Sequence, residues 1–405
     1  MPRYLIRPNA SLASRALNFV GNQLHHEAHP AQLAALRDHR RTDPFYDDLQ
    51  RWLSEMGRGK VLPLSGEGAE HNPITGTRIW HMAQEHAEKL RREIDGVEVV
   101  ADRVMELIRP SKTATLAAKE SMETGDPWHL EAIGLKDVGN GSRKGGKGVT
   151  VVVLDTGVAA DHPEIAGRVK GSFTFDTENW KAEVQDPPQD TQGHGTHVTG
   201  LICGKTVGVA PEAEVIDGVM LPKGIGKMSD FILAMEWAGQ QPEVQLVNLS
   251  AGLPGYLEEM ATAVSGLMAV GVLPVVAVGN EGRNRTRSPG NFVEVISVGA
   301  SNDAGKVASF SGGGTVSSAG HSYKVPDLVA PGQAIYSCDM DGGYDAWDGT
   351  SMATPIVSGI AALLLEEDPH ITVTDLTEEL MERCQDLGQP EDRQGRGLLR
   401  WEVPS

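Results

Sequence analysis

Between residues 150 and 366, short apolar runs of strand length alternate with segments of helical spacing, and this rhythm limits the fold more than any single motif does. The runs are 150–154, 214–220, 244–250, 273–278, 293–298 and 328–330. Helical spacing fills 229–240, 258–270 and 350–366. A run without polar alternation must be buried on both faces, and parallel strands need long crossovers, usually helical. The alternation therefore predicts an α/β fold, a mostly parallel sheet with helices on both faces.

Residues 1–125 have a different texture, and the chain divides there into 1–125 and 126–405. Residues 3–7 read as extended. Residues 78–94 read as an amphipathic helix through Ile79, Met82, Ala83, His86, Leu90 and Ile94, followed by strand-like pieces at 97–100 and 103–108. Residues 57–76 are rich in Gly and Pro and read as a loop, and 110–127 as a linker. The prediction is a smaller α+β unit ahead of the large one. An apolar share of 40% excludes wholesale disorder. A net charge of −19 argues against a nucleic-acid partner, because phosphates call for clustered Lys and Arg. No stretch reaches the roughly 18–20 apolar residues of a membrane span. The first residues carry Arg3, Arg7 and Arg15 without an unbroken apolar segment behind them, so a cytoplasmic location is expected, though export by another route would also fit. Three cysteines, Cys203, Cys338 and Cys384, make no disulfide framework.

Four segments carry chemistry. In Val151-Val-Val-Leu-Asp155-Thr-Gly157 an ionisable residue ends an apolar strand. In Gly193-His194-Gly-Thr-His197-Val-Thr-Gly200 small residues leave room around His194. In Gly349-Thr-Ser351-Met-Ala-Thr-Pro355 a serine opens an apolar helix, where free N–H groups favour developing negative charge. Pro355 is expected in or near the first turn, where it is tolerated. In Pro274-Val-Val-Ala-Val-Gly279-Asn280 an amide follows a buried strand. Singly, each has a bland reading: a strand-end Asp, a core His, an N-cap Ser. Jointly they supply a nucleophile, a base, a group to orient the base and an oxyanion donor.

With these motifs in the order Asp155, His194, Ser351, the chain resembles the subtilisin-like serine proteases, the subtilases. The resemblance covers about 128–400, and Trp128-His-Leu-Glu-Ala-Ile-Gly134 looks like the start of a mature subtilase. It implies that Ser351 attacks the scissile carbonyl, His194 moves the proton, Asp155 orients the imidazole, and Asn280 with the Ser351 N–H holds the oxyanion. It implies further that Ser250, Ala251 and Gly252 pair with the substrate backbone, and that Ala277, Val278 and Gly279 line the opposite wall of S1. His197 is left structural. Sedolisins are disfavoured because that class has acidic residues where His194 and Asn280 stand. The resemblance also suggests that 1–125 is a propeptide-like or regulatory domain, controlling the enzyme and cut from it within 108–127. Protein or peptide substrates are expected, with an activating partner protein as one route of control. The alternative is a peptide-binding pseudoprotease or scaffold without turnover.

Two departures from the family pattern stand out. The loop from His194 to Pro211 is short and lacks an Asn or Asp run, so no cofactor is expected and the usual tight calcium site is expected to be absent, while a weaker calcium site elsewhere would also fit. The loop after Asn280 carries Arg283, Arg285 and Arg287, either as a solvated basic loop or with one Arg entering S1 to select acidic residues. Residues 141–148 imitate a phosphate loop but lack the Ser/Thr after Lys147 and precede a strand. His81 and Glu85-His86 lack zincin spacing and read as helix-face residues.

Overall fold

The computed structural model describes residues 1–9, 29–57, 59–63, 72–113, 127–135, 145–318 and 320–402. The strand Thr150–Asp155 is buried at all six positions and lies between Val244–Leu249 and Glu214–Val219, parallel to both. Its side chains alternate between two cores. Val151 and Val153 join one cluster, and Val152 and Leu154 join the other. Burying a Val or Leu contributes about 1.5–3 kcal/mol, so both faces stabilise the register.

The full sheet has ten strands: Cys384–Gln385, Leu398–Leu399, Leu328–Pro331, Ile296–Ser301, Leu273–Ala277, Val244–Leu249, Thr150–Asp155, Glu214–Val219, Val169–Asp176 and Lys181–Val184. Only the outermost pair at each end is antiparallel. Helices His194–Cys203 and Thr350–Glu367 pack on one face, and Met228–Ala238 and Ala261–Ala269 on the other. The expected parallel α/β sheet is therefore what forms.

Thr350–Glu367 carries Pro355 as its sixth residue, just past the first turn. The ring cannot donate to the Ser351 carbonyl four residues back. The Ser250 hydroxyl donates there instead, at 3.4 Å.

Residues 1–101 contribute a separate antiparallel sheet in the order Val61–Pro63, Arg78–Met82, Arg3–Pro8, Val97–Ala101. Helices Pro44–Met56 and Gln84–Glu93 cover one face, around Tyr4, Ile6, Trp52, Trp80 and Leu90. The other face presents Leu5 and Ile79 to the core of the large unit. Ile74 is fully buried against two glycines of that unit. A Cβ at Gly239 would come within 2.5 Å of Ile74, and one at Gly266 within 2.3 Å. Beside this notch the Glu236 carboxylate accepts the Ile74 and Thr75 N–H groups at 3.0 and 2.7 Å, with Gln240 Nε2 at 3.2 Å and the Arg40 guanidinium nearby.

Several expectations need correction. Residues 78–82 form a strand, not the first turns of a helix, and only Gln84–Glu93 is helical. The strand sits inside its sheet, buried at four of five positions, so its apolar residues cannot report a period. His81 consequently lies on a strand, whereas Glu85 and His86 do lie on the helix. Part of the 57–76 loop is strand, Val61–Pro63, and 58 and 64–71 lie outside the described residues. Ser111–Lys112 is a strand within the expected linker, of which 114–126 lie outside the described residues. Of the 141–148 stretch, 141–144 lie outside them too. The Gly145 and Gly146 N–H groups are held by the carboxylates of Glu212 and Glu366, which leaves no phosphate cradle there.

In a Ser351→Ala background, Ile74→Ala is expected to cost about 2–4 kcal/mol, read as a lower urea midpoint. Burial pushes Glu236 up to about 7 from 4.5, ahead of the opposing hydrogen bonds and Arg40. The assembled chain then holds a proton that the opened chain gives up between those values, so the stability contribution is lost as pH rises through this window. The difference in unfolding free energy between this chain and its Glu236→Gln form is expected to change from pH 4.5 to 7 and to level off above it.

Candidate active site

Asp155 is fully buried at the carboxyl end of its strand, the end at which α/β sheets place their functional groups. Its carboxylate accepts the Thr156 N–H at 2.7 Å and faces His194 Nδ1 at 2.7 and 2.8 Å. His194 is the first residue of its helix, and Gly195 lets that helix approach the strand. A Cβ on Gly195 would lie 2.1 Å from the Gly157 carbonyl. Asp190, which the sequence reading passed over, organises the junction. Its carboxylate accepts the Thr156 hydroxyl at 2.8 Å and the Gly193 and Thr196 N–H groups at 2.9 Å.

Ser351 is the second residue of its helix and is buried. Asn280 follows the strand Leu273–Ala277, and its Oδ1 accepts the Thr350 N–H and hydroxyl, both at 2.9 Å, which aims Nδ2 into the cleft. His197 is buried, with Nε2 3.2 Å from the Asp345 carbonyl and its ring stacked on Trp347 at 4.7 Å. Burial, ahead of the neighbouring His194, lowers it to about 3, so it stays neutral. Burial also pushes the Cys203 and Cys384 thiols up to about 12, away from nucleophilic use.

The cleft is filled by the chain's own N-terminal part. Val104–Leu107 is hydrogen-bonded between Ile225–Lys227 and Ala251–Pro254, with Leu107 opposite Ala251 and Glu106 opposite Gly252. The Ile108 N–H donates to the Ser250 carbonyl at 3.1 Å. The Ser351 hydroxyl donates to the Ile108 carbonyl at 2.9 Å, and Asn280 Nδ2 to the Arg109 carbonyl at 3.2 Å. His194 Nε2 has no partner among the described residues. Ala277 and Val278 are buried, and Gly279 follows with φ +118°. In the arginine loop Arg283 and Arg285 are exposed, whereas Arg287 is largely buried and lies against Gly252, one of the residues expected to hold substrate. The Arg287 guanidinium is held by Glu281 at 2.6 Å and by the Gly252 carbonyl at 3.0 Å, and Arg283 pairs with Asp392.

Glu164 accepts the Thr206 N–H and hydroxyl at 2.8 and 2.6 Å and the Tyr344 hydroxyl at 2.8 Å, while the Lys205 ammonium occupies the Pro163 carbonyl. Among the described residues no group of three or more His, Cys, Asp or Glu converges as a metal site.

Asp155 and His194 are thus paired at the carboxyl end of the parallel sheet, and the Ser351 hydroxyl lies against the segment that fills the cleft. A sequence profile described as the subtilase family matches residues 146–397. An intracellular serine protease of Paenibacillus polymyxa is 37% identical over 292 residues, covering 67% of this chain and 84% of its own. The subtilisin-like protease PopC of Myxococcus xanthus is 35% identical over 377 residues, covering 80% of this chain and 75% of its own. A cold-adapted subtilisin-like serine proteinase matches in structure with a TM-score of 0.58 and 32% identity, covering 68% of this chain and 98% of its own. Sphericase matches with 0.61 and 30%, covering 68% and 97%. The chain belongs to the subtilase family of serine peptidases, and its substrates are proteins or peptides. Among the described residues no helix is long and apolar enough to cross a membrane.

With Arg287 neutralised by Glu281, a peptide library is expected to return no preference for Asp or Glu before the cut. Glu281→Gln should free the guanidinium and raise kcat/KM for such peptides about tenfold relative to neutral ones.

Proposed function

We propose that the chain is a serine endopeptidase using Asp155, His194, Ser351 and Asn280, with residues 1–125 as its inhibitory unit and 126–405 as the peptidase. The observation that carries this reading is the meeting of the Ser351 hydroxyl with the Ile108 carbonyl beside a paired Asp155 and His194.

A serine hydroxyl is a weak nucleophile until a base takes its proton. Here the hydroxyl donates to a carbonyl while His194 Nε2 has no partner among the described residues, the resting state of an occupied cleft. Turnover requires that hydroxyl to swing to Nε2. Ser351 Oγ then bonds to the substrate carbonyl carbon as its proton passes to His194. Asp155 holds the imidazolium, and Asn280 Nδ2 with the Ser351 N–H takes the charge on the oxygen. The C–N bond breaks as the proton moves to the leaving nitrogen, and water repeats the sequence on the acyl-enzyme. Ser250, Ala251 and Gly252 hold substrate as an added strand, and Ala277, Val278 and Gly279 line the far wall of S1. The Paenibacillus relative's name supports a cytoplasmic site of action.

The pairing of Ile108 with Ser250 and Ser351 favours Ile108–Arg109 as the first bond cut. Intact mass spectrometry should find the first 108 residues released from the full chain and not from its Ser351→Ala form. A fluorophosphonate should label Ser351 once the cleft is clear. Asn280→Ala is expected to lower kcat by about 100- to 1000-fold. A Ser351 that never labels would leave a peptide-binding protein without turnover.

A further inference from the structure

Beyond Arg109 the N-terminal segment does not leave the protein. Ser111–Lys112 adds antiparallel to the strand Tyr344–Asp348, with Ser111 opposite Asp348 and Lys112 opposite Trp347, and the Thr113 N–H donates to the Ala346 carbonyl at 2.9 Å. One edge of Tyr344–Asp348 is taken by Ile335–Cys338, and this segment fills the edge that remains on that strand. The edge is fixed to the catalytic helix through the His197–Asp345 contact and the stacking of His197 on Trp347. Side chains also read the incoming strand, through the ion pair of the Lys112 ammonium with the Asp345 carboxylate and a hydrogen bond between the Thr113 and Asp348 side chains. Asp339 and Asp341 stand in the same hairpin, which gives this rim an acidic character.

We propose that the free edge of Tyr344–Asp348 is a binding site for the leaving-group side of substrates. It takes the third to fifth residues beyond the cut bond as an added strand and prefers Lys or Arg at the fourth. This rests on the peptidase reading and on the Ile108–Arg109 register, which makes Lys112 the fourth residue. Backbone pairing is indifferent to sequence, so the edge accepts any polypeptide that is extended for five residues past the cut. An exposed ion pair contributes only modestly, so selection at the fourth residue is a bias of a few-fold.

The test uses the full-length chain and internally quenched peptides with Glu-Leu-Ile before the cut. Extending a peptide from two to five residues past the cut is expected to raise kcat/KM about tenfold. Lys at the fourth position should exceed Ala by about two- to fivefold and Glu by more, and Asp345→Lys should reverse the order. Equal rates for both lengths, or an order unchanged by Asp345→Lys, would overturn the proposal. A second arm needs no turnover. In the Ser351→Ala chain, Asp345→Lys should speed hydrogen exchange at Thr113 about threefold, and adding Lys112→Asp should restore it. Unchanged exchange would also count against the site. If no peptide is cut and the fluorophosphonate leaves Ser351 unlabelled, the peptidase reading fails, and the exchange arm still decides whether the edge binds an extended strand.

Discussion

A carboxylate with no exposure to water sits at the centre of this protein, and burying such a charge is costly unless it is paired and hydrogen-bonded. Asp155 meets that demand with His194 on one side and the Thr156 N–H on the other. The neighbouring residues serve the same end. Gly195 lets the helix close on the strand end, Gly157 lets the Gln189–Asp190 backbone approach, and Asp190 ties the strand end to the helix start. Ser351 and Asn280 reach the same point from a second helix and a second strand, locked to each other through Thr350.

The N-terminal unit depends on the same sheet from its other face. Its own core is small, around Trp52 and Trp80, and part of its apolar surface is satisfied only by the large unit. Ile74 fills a notch made by two glycines, and Glu236 accepts the N–H groups beside it. From that anchorage the chain runs through the cleft with backbone contacts on both sides of the nucleophile. The segment therefore occupies the site chiefly as a strand, and its side chains adjust the fit.

The large unit was legible because strand–helix alternation and four motifs point to one architecture. Ser351, His194 and Asp155 could be placed because each lies at the end of an element that its own neighbours define. Residues 78–82 were misread because a strand inside a small sheet is apolar without a period, and its partners, Arg3–Pro8 and Val61–Pro63, are distant in sequence. Ser111–Lys112 passed as linker for a related reason. Two polar residues become a strand only when Tyr344–Asp348 offers an edge, and no local signal carries that pairing. The placing of Arg287 likewise has no local signal, since its partners are Glu281 across a loop and the Gly252 carbonyl far back in the chain.

The alternation of Val151 and Val153 with Val152 and Leu154 between two cores has a consequence for quality control. A slip of one residue in this strand would exchange the two sets and turn the carboxylate of Asp155 to the opposite face, away from His194. On the proposed mechanism such a molecule would have lost its base-orienting group altogether, and faulty registry would leave it silent. Potentially destructive chemistry would thereby be coupled to correct assembly of the sheet, ahead of the proposed inhibition.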